Sequence, residues 1–149
     1  MESKDNNLFF YPGIKLGKLS LSFQEKDIIK ILGNPEEQNI DRFNDFEYAV
    51  HLYYWDLGIY PSIYYKNESF EYLHIHSGDI ILDNVKFSTL KKSEVLSLIK
   101  NYHFKNKLQY SCEDAYDEDV DEECYYFEKI GLTIWFEKDL MSNVCVQRK

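Results

Sequence analysis

The sequence predicts an α+β fold: a tandem repeat of one helix plus a three- to four-stranded antiparallel sheet, with the helices on one face and an aromatic-rich face opposite. Three observations predict it. An amphipathic helical segment occurs twice, a strand-turn-strand pattern follows each copy, and 44% of the 149 residues are apolar with 17% aromatic, enough to fill one hydrophobic core.

The first helical segment is SFQEKDIIKILGNP, from Ser22 to Pro35. Ser22 reads as the N-cap and Glu25, three residues on, completes a capping box; Ile28, Ile29, Ile31 and Leu32 form the apolar stripe, and Gly33 then Pro35 stop the helix. TLKKSEVLSLIKNY repeats the arrangement, with Thr89 as cap and Val95, Leu96, Leu98 and Ile99 in the same phase. After each helix, YYWDLGIYPSIYYK (Tyr53 to Lys66) lines up with YYFEKIGLTIWFEK (Tyr125 to Lys138) around Leu57-Gly58-Ile59 and Ile130-Gly131-Leu132. Each copy reads as a strand, a glycine-containing turn and a strand, followed by a third strand, FEYLHIH or SNVCVQ; a weaker strand can precede each hairpin. The repeats are assigned to residues 14–80 and 81–149 of one globular domain, with 1–13 as an N-terminal arm.

Successive strand residues point to opposite faces, which sorts the side chains. Val50, Leu52, Ile63, Leu73 and Ile75 fall on the face under the first helix, and Phe127, Ile134, Phe136, Val144 and Val146 on the face under the second. The other face carries His51, Tyr53, Trp55, Tyr64, Tyr72, His74 and His76 in the first copy, and Tyr126, Glu128, Trp135 and Glu137 in the second. Tyr and Trp bury large areas at low entropic cost and are enriched at binding hot spots. An aromatic face therefore suits a protein partner, whether a foreign one or a second copy of the chain.

A net charge of -9 and a pI near 4.9 argue against nucleic acid and anionic membrane as partners, since both are bound by Lys and Arg, and point to a basic protein. The sharpest concentration of charge is SCEDAYDEDVDEECYY, with eight carboxylates in the eleven positions from Glu113 to Glu123. It is expected to form a loop between the second helix and its hairpin, in the slot that EEQNIDRFNDFE fills in the first copy. Both loops would project from one edge and flank the aromatic faces. Asp117, Glu118, Asp119, Asp121 and Glu122 are then placed to dock on, or steer, a cationic surface.

No cofactor is expected. Asp117, Asp119 and Asp121 have the alternation of a calcium loop, but the sixth position from Asp117 is Glu122 rather than Gly, and Tyr and Cys follow. His74 and His76 share a strand face near His51, yet the pattern places no carboxylate to orient them as metal ligands, and they read as interface residues. The chain has no G-x-S-x-G elbow and no Gly-rich phosphate loop, so an enzyme is not expected. Cys112, Cys124 and Cys145 are an odd set without a C-x-x-C pair, as in a reducing compartment; a Cys112–Cys124 bridge is open to an oxidised sample. The start MESKDNNLFFYPG lacks the pattern of an export signal, and the expected location is the cytoplasm.

The repeated helices and the YYWDLGIY and YYFEKIGL hairpins, from Ile14 to Val146, resemble the tandem-repeat architecture of the β-lactamase inhibitory protein group. In that group two helix-plus-four-strand units present a concave aromatic sheet to the target. The chain is also similar, as a small acidic cytosolic protein, to immunity proteins of bacterial polymorphic toxin and contact-dependent growth inhibition systems. The resemblance implies an antitoxin that covers a cognate basic toxin domain, often a nuclease, through the aromatic face and the acidic run, and that is a monomer or homodimer when free. The other readings that stay open are a homodimeric structural or regulatory module and a small-ligand or metal-dependent enzyme.

Overall fold

The structure is a computed structural model that describes residues 8–119 and 121–148. In chain order the elements are β1 (Phe10–Tyr11), β2 (Lys15–Leu16), β3 (Leu19–Ser20), α1 (Glu25–Leu32), β4 (Glu37–Arg42), β5 (Glu47–Tyr53), β6 (Ile59–Lys66) and β7 (Ser69–Ser77). They continue as β8 (Ile81–Leu82), β9 (Val85–Lys86), α2 (Lys92–Lys105), β10 (Glu113–Asp117), β11 (Glu122–Phe127), β12 (Leu132–Glu137) and β13 (Leu140–Gln147).

The tandem of separate helix-plus-sheet units is overturned. Among the described residues the fold is mostly β, with 48% strand against 22% helix, and its centre is one antiparallel sheet of eight strands in the order β10-β11-β12-β13-β7-β6-β5-β4. The join is the pairing of β13 with β7, from Val144 opposite Ser77 to Gln147 opposite His74. The physical reason is the cost of edges. As margins of separate sheets, β7 and β13 would each leave a row of backbone N–H and C=O groups unpaired beside an apolar face; paired, they satisfy those groups and set Ile75 against Val146.

The acidic run is also not a loop. Glu113–Asp117 forms β10, one edge of the sheet, hydrogen-bonded to β11 across a short turn. The segment expected as its counterpart forms β4, the opposite edge, so the two acidic segments lie at the two ends of the sheet rather than on one side of it. One carboxylate of β11 is met locally: Lys92 at the start of α2 lies 2.9 Å and 3.1 Å from the two oxygens of Glu123, and the Tyr125 hydroxyl donates to the same carboxylate. Together these hold Glu123 below the usual carboxylate range, the tyrosine hydrogen bond contributing most.

Both helices begin two residues later than the capping pattern suggests. Gln24 and Lys91 are the N-caps, and their backbone N–H groups donate to Asp27 (3.0 Å) and Glu94 (3.1 Å), the reaching-back half of a capping box. Ile28, Val95 and Ile99 are buried, whereas Leu96 is only half-buried and Ile31 is exposed.

All ten aliphatic and aromatic residues assigned to the helix-side face are buried, and they join one core with residues that the sequence reading left out. Phe10, Leu16, Leu19 and Leu21 come from the small β1-β2-β3 sheet, and Ile80, Leu82 and Phe87 from the β8-β9 hairpin and its flanks. Each such side chain, once fully buried, contributes about 1.5–3 kcal/mol of transfer free energy. Residues 1–7 of the expected N-terminal arm lie outside the described residues; Phe9 bridges to Ile81, and Phe10 pairs with Leu16. Among the described residues, no helix is long and apolar enough to cross a membrane.

Candidate functional site

Because α1 and α2, through Ile28, Val95 and Ile99, join the core formed by one face of the sheet, the opposite face carries no helix among the described residues, and strand register decides which side chains meet there. One row runs Tyr60, His76, Cys145, Thr133, Tyr126 and Glu113 across six strands. The neighbouring row runs Asn39, His51, Ser62, His74 and Gln147. Beyond it, Asp41, Ala49, Tyr64 and Tyr72 line up, and on the other side Asn143, Trp135, Cys124 and Ala115.

The rings form a belt of three neighbouring stacked groups. Tyr53 stacks on Trp55 with 5.0 Å between centroids, Tyr60 closes against Trp55 at 5.2 Å, Tyr64 stacks on Tyr72 at 4.5 Å, and His74 lies 5.0 Å from both Tyr64 and Tyr72. His76 then meets Trp135 at 6.1 Å, which carries the belt over the β7–β13 join. Trp55 and Tyr72 are exposed, at 51% and 43%. Trp55 reaches its place because β5 ends in a 3-10 turn, Trp55–Leu57, closed by Gly58 in the left-handed conformation. A depression of about 270 Å³ opens in the belt, lined by His51, Tyr53, Trp55, Tyr60, Ser62, Tyr64, His76 and Asn143.

The sequence-predicted site is thus brought together in part. His51, Tyr53, Trp55, Tyr64, Tyr72, His74, His76 and Trp135 share the belt, and Tyr126 extends it, its hydroxyl accepting from Gln147 at 3.2 Å. Asp117, Glu122 and Glu137 face the same side at the β10 margin, Glu122 standing opposite both Asp117 and Glu137. Glu118, Asp119 and Asp121 belong to the turn between β10 and β11, where the Asp119 N–H donates to Asp117 and the Tyr116 hydroxyl to Asp121. Glu128 is separate, on a 3-10 turn past the end of β11. Tyr60, Ser62, Asn143 and Cys145 were missed, although Tyr60 and Ser62 share the parity of Tyr64 along β6 and alternation alone places them on its face.

Burial and crowding set the protonation of the belt. His74 is pushed down to about 4 by desolvation and then by His76, and His76 is lowered by desolvation and by His51; both are neutral at neutral pH. His51 shares a 2.7 Å hydrogen bond with Ser62 and lies 3.9 Å from Asp41. Cys145 sits between His76 and Thr133 in register, but it is 5% exposed and burial raises its thiol to about 12, so it has no thiolate with which to act as a nucleophile. Cys112 and Cys124 are free thiols, also raised by burial. Among the described residues no three His, Cys, Asp or Glu side chains are grouped to hold a metal ion.

A larger concavity of about 730 Å³ lies on the helix side near α1, with Glu25, Arg42, Asp45 and Glu68 among its lining residues. Its mixed charge and open polar walls give it no single chemistry. The helix-free face, by contrast, carries flat rings, the neutral imidazoles of His74 and His76, and acidic margins. In comparisons with known proteins, no family model, no curated protein and no solved structure matches the chain.

Proposed function

We propose that the protein is a cytoplasmic inhibitor of the immunity-protein kind, which binds a basic toxin domain on the helix-free face of its sheet and blocks it by covering it. The observation that carries this reading is the gathering of Tyr, Trp and His rings on one sheet face, in neighbouring stacked groups from Tyr72 to Trp135, bordered at both sheet edges by carboxylates. A sheet face whose only neighbour is water more often carries Thr, Lys and Glu. Here the large rings lie where a partner would bury them, and the acidic margins select the sign of that partner's charge.

The reading is tested by co-expressing the chain with the product of the adjacent upstream gene. The expected result is a stable complex and restored growth of cells that the partner alone arrests. A partner that neither binds nor is neutralised removes the antitoxin reading for that pair.

A further inference from the structure

We infer that the depression bounded by Tyr53, Trp55, Tyr60 and Tyr64 is a socket for one arginine side chain of the basic partner, and that this socket fixes which surface of the partner docks. The inference rests on the partner-binding reading above and deepens it.

Shape comes first. The planes of Tyr53 and Trp55 lie within 13° of each other, while Tyr60 is tilted by 56° to Trp55 and 49° to Tyr53. These rings make a corner with both a flat wall and an inclined one, and Tyr64 stands among the other lining residues. The volume of about 270 Å³ holds one long side chain and falls short of a drug-sized ligand. A guanidinium is flat, stacks on aromatic faces and is more weakly hydrated than an ammonium, so it loses least on entering such a corner.

Charge and hydrogen bonding narrow the occupant further. Among the described residues no Lys or Arg lines the depression, and His76, kept neutral, offers a ring acceptor instead of a repelling charge. Asn143 adds an amide oxygen. From β4, Asp41 stands 3.9 Å from His51, and Glu37 is the register partner of Tyr53, so carboxylates border the socket on that side. An aliphatic side chain would leave these acceptors without donors, whereas the five N–H groups of arginine match them. The β10 hairpin, at the far edge of the sheet, lies too far off to share in this contact and is left with steering.

The test is an NMR titration of the intact chain with the capped peptide acetyl-Gly-Arg-Gly-amide and with its neutral citrulline counterpart, following the two indole N–H signals. The expected result is a saturable shift of the Trp55 indole with the arginine peptide, in the millimolar range, at least ten-fold weaker with citrulline. The Trp135 indole should stay in place. Tyr60→Ala should abolish the shift, and Tyr60→Phe, which keeps the ring and the fold, should retain it. No saturable shift with the arginine peptide, or equal shifts with both peptides, overturns the socket. If the complex with the basic partner still weakens on Trp135→Ala after that failure, only the socket has fallen; if no complex forms at all, the reading beneath it has fallen too.

Discussion

The imidazole of His76 and the indole of Trp135 lie 6.1 Å apart with their planes within 28°, stacked across the junction of β7 and β13. Those strands would have been margins of two separate sheets, and their pairing makes one continuous surface that spans both halves of the chain. Cys145, between the two rings in the strand order, is buried and contributes packing rather than chemistry.

Two glycines in equivalent turns should respond differently to the same change. Gly58 and Gly131 both follow a 3-10 turn and both have positive φ, +65° and +60°. A Cβ on Gly58 meets nothing within 4 Å, whereas one on Gly131 would drive into the backbone carbonyl of Gln147, whose N–H is itself bonded to the Gly131 carbonyl. Gly58→Ala is expected to cost about 1 kcal/mol, the left-handed penalty alone. Gly131→Ala should cost more than about 3 kcal/mol, because the rigid end of β13 must also move. Urea denaturation of the two variants checks the difference, and equal losses would contradict it.

Stability should fall between pH 7 and pH 5. His74 and His76 have folded pKa values below the ordinary histidine value of about 6.5, so in this range the unfolded chain binds more protons than the folded one. That difference favours unfolding as the pH drops towards about 4, where His74 titrates in the fold. Glu123, held low by Tyr125 and Lys92, loses its contribution only below the ordinary carboxylate range, outside this window. The His74→Gln, His76→Gln double variant should show a smaller drop in Tm from pH 7 to pH 5 than the wild type, measured by calorimetry; an unchanged drop would assign the acid sensitivity elsewhere.

Of the acidic hairpin, the carboxylates on the helix-free side should matter most for association. Glu113, Asp117 and Glu122 alternate onto that side, whereas Asp114 and Glu123 face the helix side, where Glu123 is engaged by Lys92. Neutralising Glu113, Asp117 and Glu122 to Gln or Asn is expected to lower k_on for a basic partner several-fold and to flatten its salt dependence, with k_off changing less. Stopped-flow mixing at two ionic strengths gives both rates. Neutralising Asp114 instead should leave k_on close to that of the wild type.

Much of the packing was legible in the sequence because the period of two is a local property: Val50, Leu52, Ile63, Leu73 and Ile75 alternate along single strands, and so do Phe127, Ile134, Phe136, Val144 and Val146. The single sheet was not legible, since pairing β7 with β13 is a choice of register between distant segments that no local pattern encodes. β10 was legible only as the weaker strand that can precede the hairpin, and not as the acidic run itself, because EDAYD are mostly poor strand formers and all exposed; it is a strand because β11, anchored by Phe127 and Tyr125, offers it an unpaired edge. The helix starts slipped for a related reason. Ser22 instead bonds back to Ser20, and Thr89 to the Lys86 carbonyl, which leaves Gln24 and Lys91 to open the helices. The belt itself was readable residue by residue, but its depression needed the turn that places Trp55 over Tyr53 and Tyr60.

The central claim, that the helix-free face is the docking surface for a basic protein, is tested most directly by measuring the Kd of that complex by titration calorimetry for the wild type, Trp55→Ala, Trp135→Ala and Phe104→Ala. Phe104 is 88% exposed on α2, across the sheet from the belt, and serves as an apolar control of similar size. Each tryptophan variant should bind at least ten-fold more weakly, a loss above about 1.4 kcal/mol, while Phe104→Ala should bind as the wild type does. A complex weakened by Phe104→Ala and indifferent to both tryptophans would contradict the claim and move the interface to the helix side.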